Sequence, residues 1–412
     1  MSSLDYQFYP GRIRIDEVIV SNGVAKVDLT DLFVEADVNS FINGDTTSVE
    51  ILILDSQNVF EKYKISGGDN VSITISNNDE TREMFLKVIS LEKVSNFDNQ
   101  RGYSLRCVSH FAFLSMHAGI IKSYDGNITE TARKIFDEFA SEVDKAGTFE
   151  PSSNSTKAVI PNWSPLKTLN WLAGKAVWAR DPVRFRFFQD SKLNYNFMPV
   201  EKGIELYKEK PAYKYTYNLI VGTKGAQQAP NSELTMRAIK KLTYENQFDL
   251  KRSMRNGNIS GIVHAPDIID KKYEKVVYNY FTNFNKENYL NAFPQFKSET
   301  YEPAVTNYDI LTSFIHDGGI NKENDISKIK RSNIDGTQTV IIEVVGNFLI
   351  DVGQVIELEV ATPEPESELN KKTDNRVSGL YYITSKRDIY SRNEHKMYLG
   401  ITKESQLESV ES

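Results

Sequence analysis

The sequence predicts an α+β fold that is mostly β: two similar antiparallel β-barrel domains, the second one split, around an inserted α+β domain. Three observations predict it. Apolar and polar residues alternate near both ends of the chain, which is the signature of half-buried strands. Two helix-periodic stretches interrupt that alternation in the middle. A glycine followed by an alternating strand occurs twice, as GDNVSITI (68–75) and GQVIELEV (353–360). With 412 residues the chain is long for one core, so two or three domains are expected.

The first domain is expected over 1–109. VEILILD (49–55) follows the turn pair Asn43-Gly44, and QNVFEKYK (57–64) suits a short helix. FLKVISLEKV (85–94) and YSLRCVS (103–109) are separated by SNFDNQRG, a polar segment of hairpin-loop character. The inserted domain is expected over 110–234 and again over 271–330. Its first helix, in ITETARKIFDEFASEVD (128–144), puts Ile128, Ala132, Ile135, Phe136 and Phe139 on one face, with Thr129 as the expected cap. Ser164-Pro165 announces a second helix, an N-cap followed by proline at the first helical position. VRFRFF (183–188) and LNYNFM (193–198) read as strands. The second β domain is expected over 235–270 and 331–404, with a tail at 405–412. The loop 361–378 is long, polar and proline-bearing, hence expected to be exposed and mobile.

The two β regions align as a duplication. Gly68, Val71, Ile73 and Ile75 fall on Gly353, Ile356, Leu358 and Val360. LKVISLEKVSN (86–96) falls on YYITSKRDIYS (381–391), and Tyr103, Leu105 and Cys107 fall on Met397, Leu399 and Ile401. Upstream, Asn43-Gly44 with Ser48 is set against Asn256-Gly257 with Ser260. GNFLIDVGQ (346–354) is not a phosphate loop, because it has neither the lysine nor the following helix that would supply donors. Gly353 reads instead as a turn residue that needs positive φ.

Motifs for chemistry are missing, and no catalytic, cofactor-binding or metal-binding residue is assigned. The histidines His110, His117, His264, His316 and His395 form no HExxH, and the single Cys107 excludes both a multi-thiolate zinc site and an internal disulfide. No GxSxG elbow is present. Glu364 and Glu366 lie in the polar loop, where carboxylates are not held as glycoside hydrolysis requires. GTKG (222–225) and the alternating charges of 235–275 read as an ordinary loop and a solvated face. His316-Asp317 stands alone. Net charge is −7, which argues against a dedicated nucleic-acid binder. The N-terminus has no apolar h-region, and no apolar run reaches membrane-spanning length, so neither a signal peptide nor stable membrane insertion is expected.

This layout resembles the baseplate hub proteins of contractile-tailed bacteriophages and the hub part of type VI secretion spike proteins. The residues that carry the resemblance are GNFLIDVGQVIELEV (346–360), NGNISGIVHAPDIID (256–270), and the helix pair ITETARKIFDEFA and SPLKTLNWLAGKAV followed by VRFRFF. The resemblance implies tail-tube-like β-barrels, a homotrimer, and a non-enzymatic role in the virion, at the tail baseplate, after assembly in the host cytoplasm. It implies a central spike protein and a tail tube or tube-initiator protein as partners, and a channel through which DNA passes unbound. A duplicated chain is what such a task needs, since three chains then present six similar surfaces. A cell-wall-degrading or carbohydrate-binding tail protein is the alternative. A secretion spike protein would continue into further domains, which are not expected beyond Ser412.

Overall fold

The computed structural model describes residues 11–409 apart from 45, 78–79, 98, 179–184, 218–231, 247, 249, 256–258, 268–270, 283, 285–288, 297–308, 312–337 and 363–372. The expected pairs Asn256-Gly257, Glu364/Glu366 and His316-Asp317, and the GTKG segment, fall outside the described residues.

The N-terminal region folds into β1 (Arg14–Ser21), β2 (Lys26–Asp28), β3 (Phe33–Phe41), β4 (Ser48–Asp55), β5 (Asn70–Ser76), β6 (Thr81–Phe97) and β7 (Gln100–Val108). A short helix, α1 (Val59–Tyr63), lies between β4 and β5, as QNVFEKYK suggested. The middle supplies β8 (Ile120–Asn127), β9 (Lys145–Phe149), β10 (Ser155–Trp163), β11 (Phe185–Gln189) and β12 (Asn194–Pro199). After it come β13 (Lys214–Tyr217), β14 (Lys241–Asn246), β15 (Ser260–Asp267), β16 (Lys272–Asn279), β17 (Phe293–Pro294) and β18 (Asp309–Leu311). The chain ends with β19 (Gln338–Val345), β20 (Val355–Val360), β21 (Gly379–Ser391), β22 (His395–Lys403) and β23 (Ser405–Gln406).

One 13-stranded sheet contains two runs of the same order. The first reads β3-β4-β7-β6-β5-β1, the second β14-β19-β22-β21-β20-β13, and antiparallel pairing of β21 with β3 joins them. Register agrees as well as order. Val71 faces Leu86 and Val88 faces Cys107; Ile356 faces Tyr381 and Ile383 faces Ile401. A bulge follows at the same point in each run, between Val88 and Ser90 and between Ile383 and Ser385. Ile73, Leu358, Leu105 and Leu399 are all buried, whereas Ser72, Thr74, Glu357 and Glu359 take the half-exposed face, as period-two alternation requires. The two runs depart at one place: β1 is antiparallel to β5, but β13 is parallel to β20.

The structure corrects the sequence at several points. Among the described residues neither half closes into the expected barrel; both are open sheets. A strand has two edges, and those of β3 are taken by β4 and by β21 from the other half, so β3 has none left for β1 or β2. The counterpart of β4 is β19, not the strand after Ser260: β15 pairs with β16 and β18 in a separate small sheet. Alternation alone could not tell these strands apart. SNFDNQRG does hold the tip of a hairpin, but most of it is strand, because β6 and β7 stay paired as far as Phe97 and Gln100.

The middle module has its own core. Helix α2 (His110–Ser115) leads into it, and α3 (Ile128–Phe139) and α4 (Pro165–Lys175) pack Ile128, Ala132, Ile135, Phe136, Leu169 and Leu172 against Phe185, Phe187, Tyr195 and Phe197. Ser164 caps α4 as expected, its Oγ accepting from Lys167 N at 3.3 Å. The cap of α3 is Asn127, whose Oδ1 accepts from Thr129 N and Glu130 N; Thr129 is buried and donates to Glu150 O instead. Helix α5 (Val200–Tyr207) packs on the second half, where Gly203 comes so close that an added Cβ would meet Gly353 O at 2.5 Å.

Candidate functional site at the joint between the half-sheets

The joint where β21 meets β3 is where both halves and the middle module come together. On its outer side Arg387 grips Asp37, with Nε at 3.0 and 2.9 Å from the two carboxylate oxygens and Nη2 at 2.6 Å. The bulge before Ser385 shifts the phase of β21 by one residue, so Lys386, Asp388 and Tyr390 point inward. There they meet Arg82 of β6, Ser191 of the β11–β12 turn, Asp351 and His395.

All of these groups are buried, and most of their polar atoms find partners among one another; Arg82 Nε and Asp388 Oδ2 make no hydrogen bond, although Oδ2 has the Lys386 charge beside it. Lys386 Nζ lies 2.9 Å from Asp388 Oδ2 and donates to Ser191 Oγ at 3.0 Å. Ser191 N and Oγ donate to the two oxygens of Asp351 at 3.0 and 2.8 Å. His395 Nε2 donates to Asp388 Oδ1 at 2.7 Å. Arg82 Nη1 donates to Tyr390 OH at 3.0 Å, and Nη2 donates to Phe348 O, whose own ring lies 4.3 Å beneath the guanidinium. Burial alone would raise the Asp388 carboxyl, but Lys386, His395 and Arg82 outweigh it and hold the pKa well below the ordinary value. Burial lowers His395, and the Lys386 and Arg82 charges add to that; the pull of Asp388 does not offset them. Asp190 beside the network is pushed up to about 6, by burial and by Asp351.

A second anchor ties the middle module to the first half. Thr47 N donates to Gln189 Oε1 at 3.0 Å, and Thr47 Oγ1 donates to the carbonyls of Gln189 and Asp190, both at 3.1 Å. Chemically, such an arrangement fixes three bodies in one relative placement. The charged side chains of its inner network are all buried. A buried ion network adds little to stability compared with apolar packing, yet losing one member leaves an uncompensated charge, at a cost of about 3–5 kcal/mol.

The histidines noted in the sequence are scattered. His110 starts α2, half-buried, and burial lowers its pKa; His117 packs edge-on against Phe113. His264 Nδ1 lies 2.5 Å from Tyr273 OH on the outlying β15–β16 pair. Of the histidines among the described residues, His395 alone enters the joint. Cys107 is buried in the first-half core, where burial pushes the thiol up and keeps it unreactive. Among the described residues no group of three or more His, Cys, Asp or Glu is placed to hold a metal ion, and no helix is long and apolar enough to cross a membrane. A cleft of about 450 Å³ is lined by Asp374, Arg376 and Glu408 among others. Its carboxylates are engaged locally, Asp374 with Arg376 N and Glu408 with Asn375. Sequence reasoning missed Arg82, Lys386 and Asp388. The signal was there in SKRDIYS, where two charges sit at positions that a bulge turns inward.

No protein-family model matches the chain, and no curated protein matches it. Solved structures do. The tail protein from Neisseria meningitidis MC58 matches with a TM-score of 0.55 at 12% identity, covering 94% of this chain and 96% of that one. The 43 kDa tail protein of prophage MuSo2 from Shewanella oneidensis matches with a TM-score of 0.51 at 9% identity, covering 94% and 98%. Both matches run nearly end to end, so the likeness is one of the whole fold and not of one half. The chain has the fold of phage tail proteins, in keeping with the baseplate-hub resemblance of its sequence.

Proposed function

We propose that this chain is a structural component of a phage tail: the baseplate hub, a homotrimer that joins a six-fold tail tube to a three-fold central spike. The observation that carries this reading is the repeated strand order, β3-β4-β7-β6-β5-β1 against β14-β19-β22-β21-β20-β13. Two like halves per chain let three chains offer six like surfaces to a tube, while the single middle module recurs only three times and suits a three-fold partner. On this reading the two half-sheets, open in one chain, become tube-like domains completed by neighbouring chains. The net charge of −7 suits a channel through which DNA slides without binding. The buried joint suits a part that transmits load, since it holds the halves in one orientation. The chain itself is proposed to carry no catalysis.

Light scattering of the purified protein, alone and with a spike protein from the same tail, tests this reading. A trimer is expected, burying more than the roughly 2,000 Å² usual for obligate assemblies. A protein that stays monomeric even with the spike present would sink it. Hydrolysis of peptidoglycan or polysaccharide by the pure protein, lost on one carboxylate substitution, would favour the cell-wall-degrading alternative.

A further inference from the structure

The cleft of about 450 Å³ lies where the first residue of β19, the short strand β23 and the turn before β21 come together, and it shares no residue with the buried joint. Its volume is that of a small-ligand site. Four carboxamides line it: Gln295, Gln338, Asn375 and Gln406. Gln295 and Gln338 are buried, at 7% and 3% exposed. Gln406 Nε2 donates to Gln338 Oε1 at 3.3 Å, but Gln406 Oε1, itself buried, has no hydrogen-bond partner among the described residues. An amide oxygen left in that state is costly, and a donor from a bound molecule relieves it.

The walls of the cleft are fixed from behind. Lys403, buried in β22, donates to the carbonyls of Arg376, Val377 and Ser378 at 2.8, 3.3 and 2.9 Å. Within the same turn Ser378 N donates to Asp374 O at 2.8 Å, and Arg376 N donates to Asp374 Oδ1 at 3.0 Å. Backbone polar groups are thereby used up inside the wall, and side chains are what the cleft displays. Asn375 Nδ2 donates to Glu408 Oε1 and ties this wall to the opposite one. A site held this way is formed before anything enters it, so little ordering is charged against binding.

We propose that this cleft binds an uncharged sugar unit, its hydroxyls on the carboxamides and its C–H face on Phe248. The lining selects that class by exclusion and by fit. A metal ion finds no seat, since Asp374 and Glu408 already accept hydrogen bonds and no group of three or more His, Cys, Asp or Glu is placed to hold one among the described residues. An anion would meet two carboxylates against one guanidinium, that of Arg376. An apolar molecule would strand the amides, which cost free energy when covered without partners. A peptide gains little, because its side chains find only Phe248 and the buried Val377 as apolar contacts. A hydroxyl, by contrast, both donates and accepts, as a carboxamide does, and Gln406 Oε1 needs a donor. Phe248, 62% exposed, supplies a flat apolar surface beside these polar groups. The inference does not rest on the hub reading, whose ground is the strand order.

The test is calorimetric titration of the full chain with cellobiose and with N,N′-diacetylchitobiose, beside glucuronic acid and an uncharged glycine-serine peptide. At least one of the two neutral disaccharides is expected to bind with a millimolar dissociation constant and to be recovered uncleaved. Gln406→Leu removes the buried acceptor at similar volume and is expected to weaken binding about fivefold. Phe248→Ala, at an exposed position where folding is not at stake, is expected to weaken it by about as much. Circular dichroism of both variants should match that of the unmodified chain. No binding of either disaccharide, or binding that both variants leave unchanged, overturns the site. Glucuronic acid or the peptide binding as tightly as the disaccharides overturns the uncharged sugar as its ligand. Light scattering separates this outcome from the hub reading: a trimer that binds no sugar sinks the cleft alone, and a monomer that binds it sinks the hub alone.

Discussion

Gly68 and Gly353 occupy the same point in the two halves of the sheet. Each has positive φ, +92° and +87°, and each donates its N–H to the carbonyl just before a bulge, Val88 O at 2.8 Å and Ile383 O at 3.0 Å. The return bonds also match: Val88 N donates to Asp69 O and Ile383 N to Gln354 O, both at 2.9 Å. A left-handed turn here aims β5 and β20 at their neighbours, which is why both copies use glycine.

Substituting alanine at either glycine is expected to destabilise, by about 1 kcal/mol at Gly68, where an L-residue must adopt positive φ. Gly353→Ala should cost more, because its Cβ would also meet the Phe188 ring at 3.2 Å; at Gly68 the nearest contact is an ordinary 3.6 Å. Chemical denaturation of both variants checks the order, and a larger loss at Gly68 would contradict it.

On β20 the two faces should respond oppositely. Leu358→Asp puts a carboxylate into the second-half core and is expected to unfold that half, at a cost of several kcal/mol, about 4. Glu357→Ala removes one of two carboxylates bound to Lys214, with Glu359 still 2.9 Å away, and should change stability by less than about 0.5 kcal/mol. Size-exclusion profiles and urea titrations read both.

Within the joint, Asp388→Asn should be among the most damaging conservative changes in the chain. It leaves Lys386 and Arg82 without their shared counter-ion, and a loss of about 3–5 kcal/mol is expected. Removing the opposed charges together, as Lys386→Met with Asp388→Leu, is expected to recover part of that loss. Denaturation midpoints of the three variants would decide; a double variant weaker than Asp388→Asn would count against the network as described.

Acid should loosen the joint before it affects the rest. His395 has a folded pKa below its unfolded value of about 6.5, so the unfolded chain binds the proton first. Stability from this group is complete above 6.5 and declines as pH falls toward the folded pKa. Asp388, also depressed, contributes in full above its unfolded value of 3.8 and loses that contribution as pH falls below it toward the folded pKa. Asp190, raised to about 6, acts in the opposite sense and loses its contribution as pH rises through that value. His395→Gln keeps a donor for Asp388, so its acid-side slope between pH 6.5 and 5 should be shallower than that of the unmodified chain. Equal slopes in urea titrations would count against His395 as the sensing group.

Sequence alone determined the local terms. Alternation placed Val71, Ile73 and Ile75, and Ile356, Leu358 and Val360, on buried faces, since side chains alternate strictly along a strand. Ser164-Pro165 fixed the start of α4, and the alignment of the two halves held from Gly68/Gly353 through the first strand, from Leu86/Tyr381 to Glu92/Arg387 and from Tyr103/Met397 to Cys107/Ile401, slipping by one after Glu92, where a bulge gives β6 an extra residue. Only the tertiary structure decided what partners those strands take. Tyr215 of β13 lies beside Leu358 of β20, 143 residues away, and nothing local encodes a parallel pairing over that distance. The same holds for β21 against β3, which uses up the edge that closing a barrel would need. A bulge after Ile383 then reversed the pattern and carried Lys386 and Asp388 inside, because a one-residue shift exchanges the two faces of a strand. Hydrophobic period fixes which face is buried; it does not fix against what, since edge pairing is backbone chemistry that every strand offers alike.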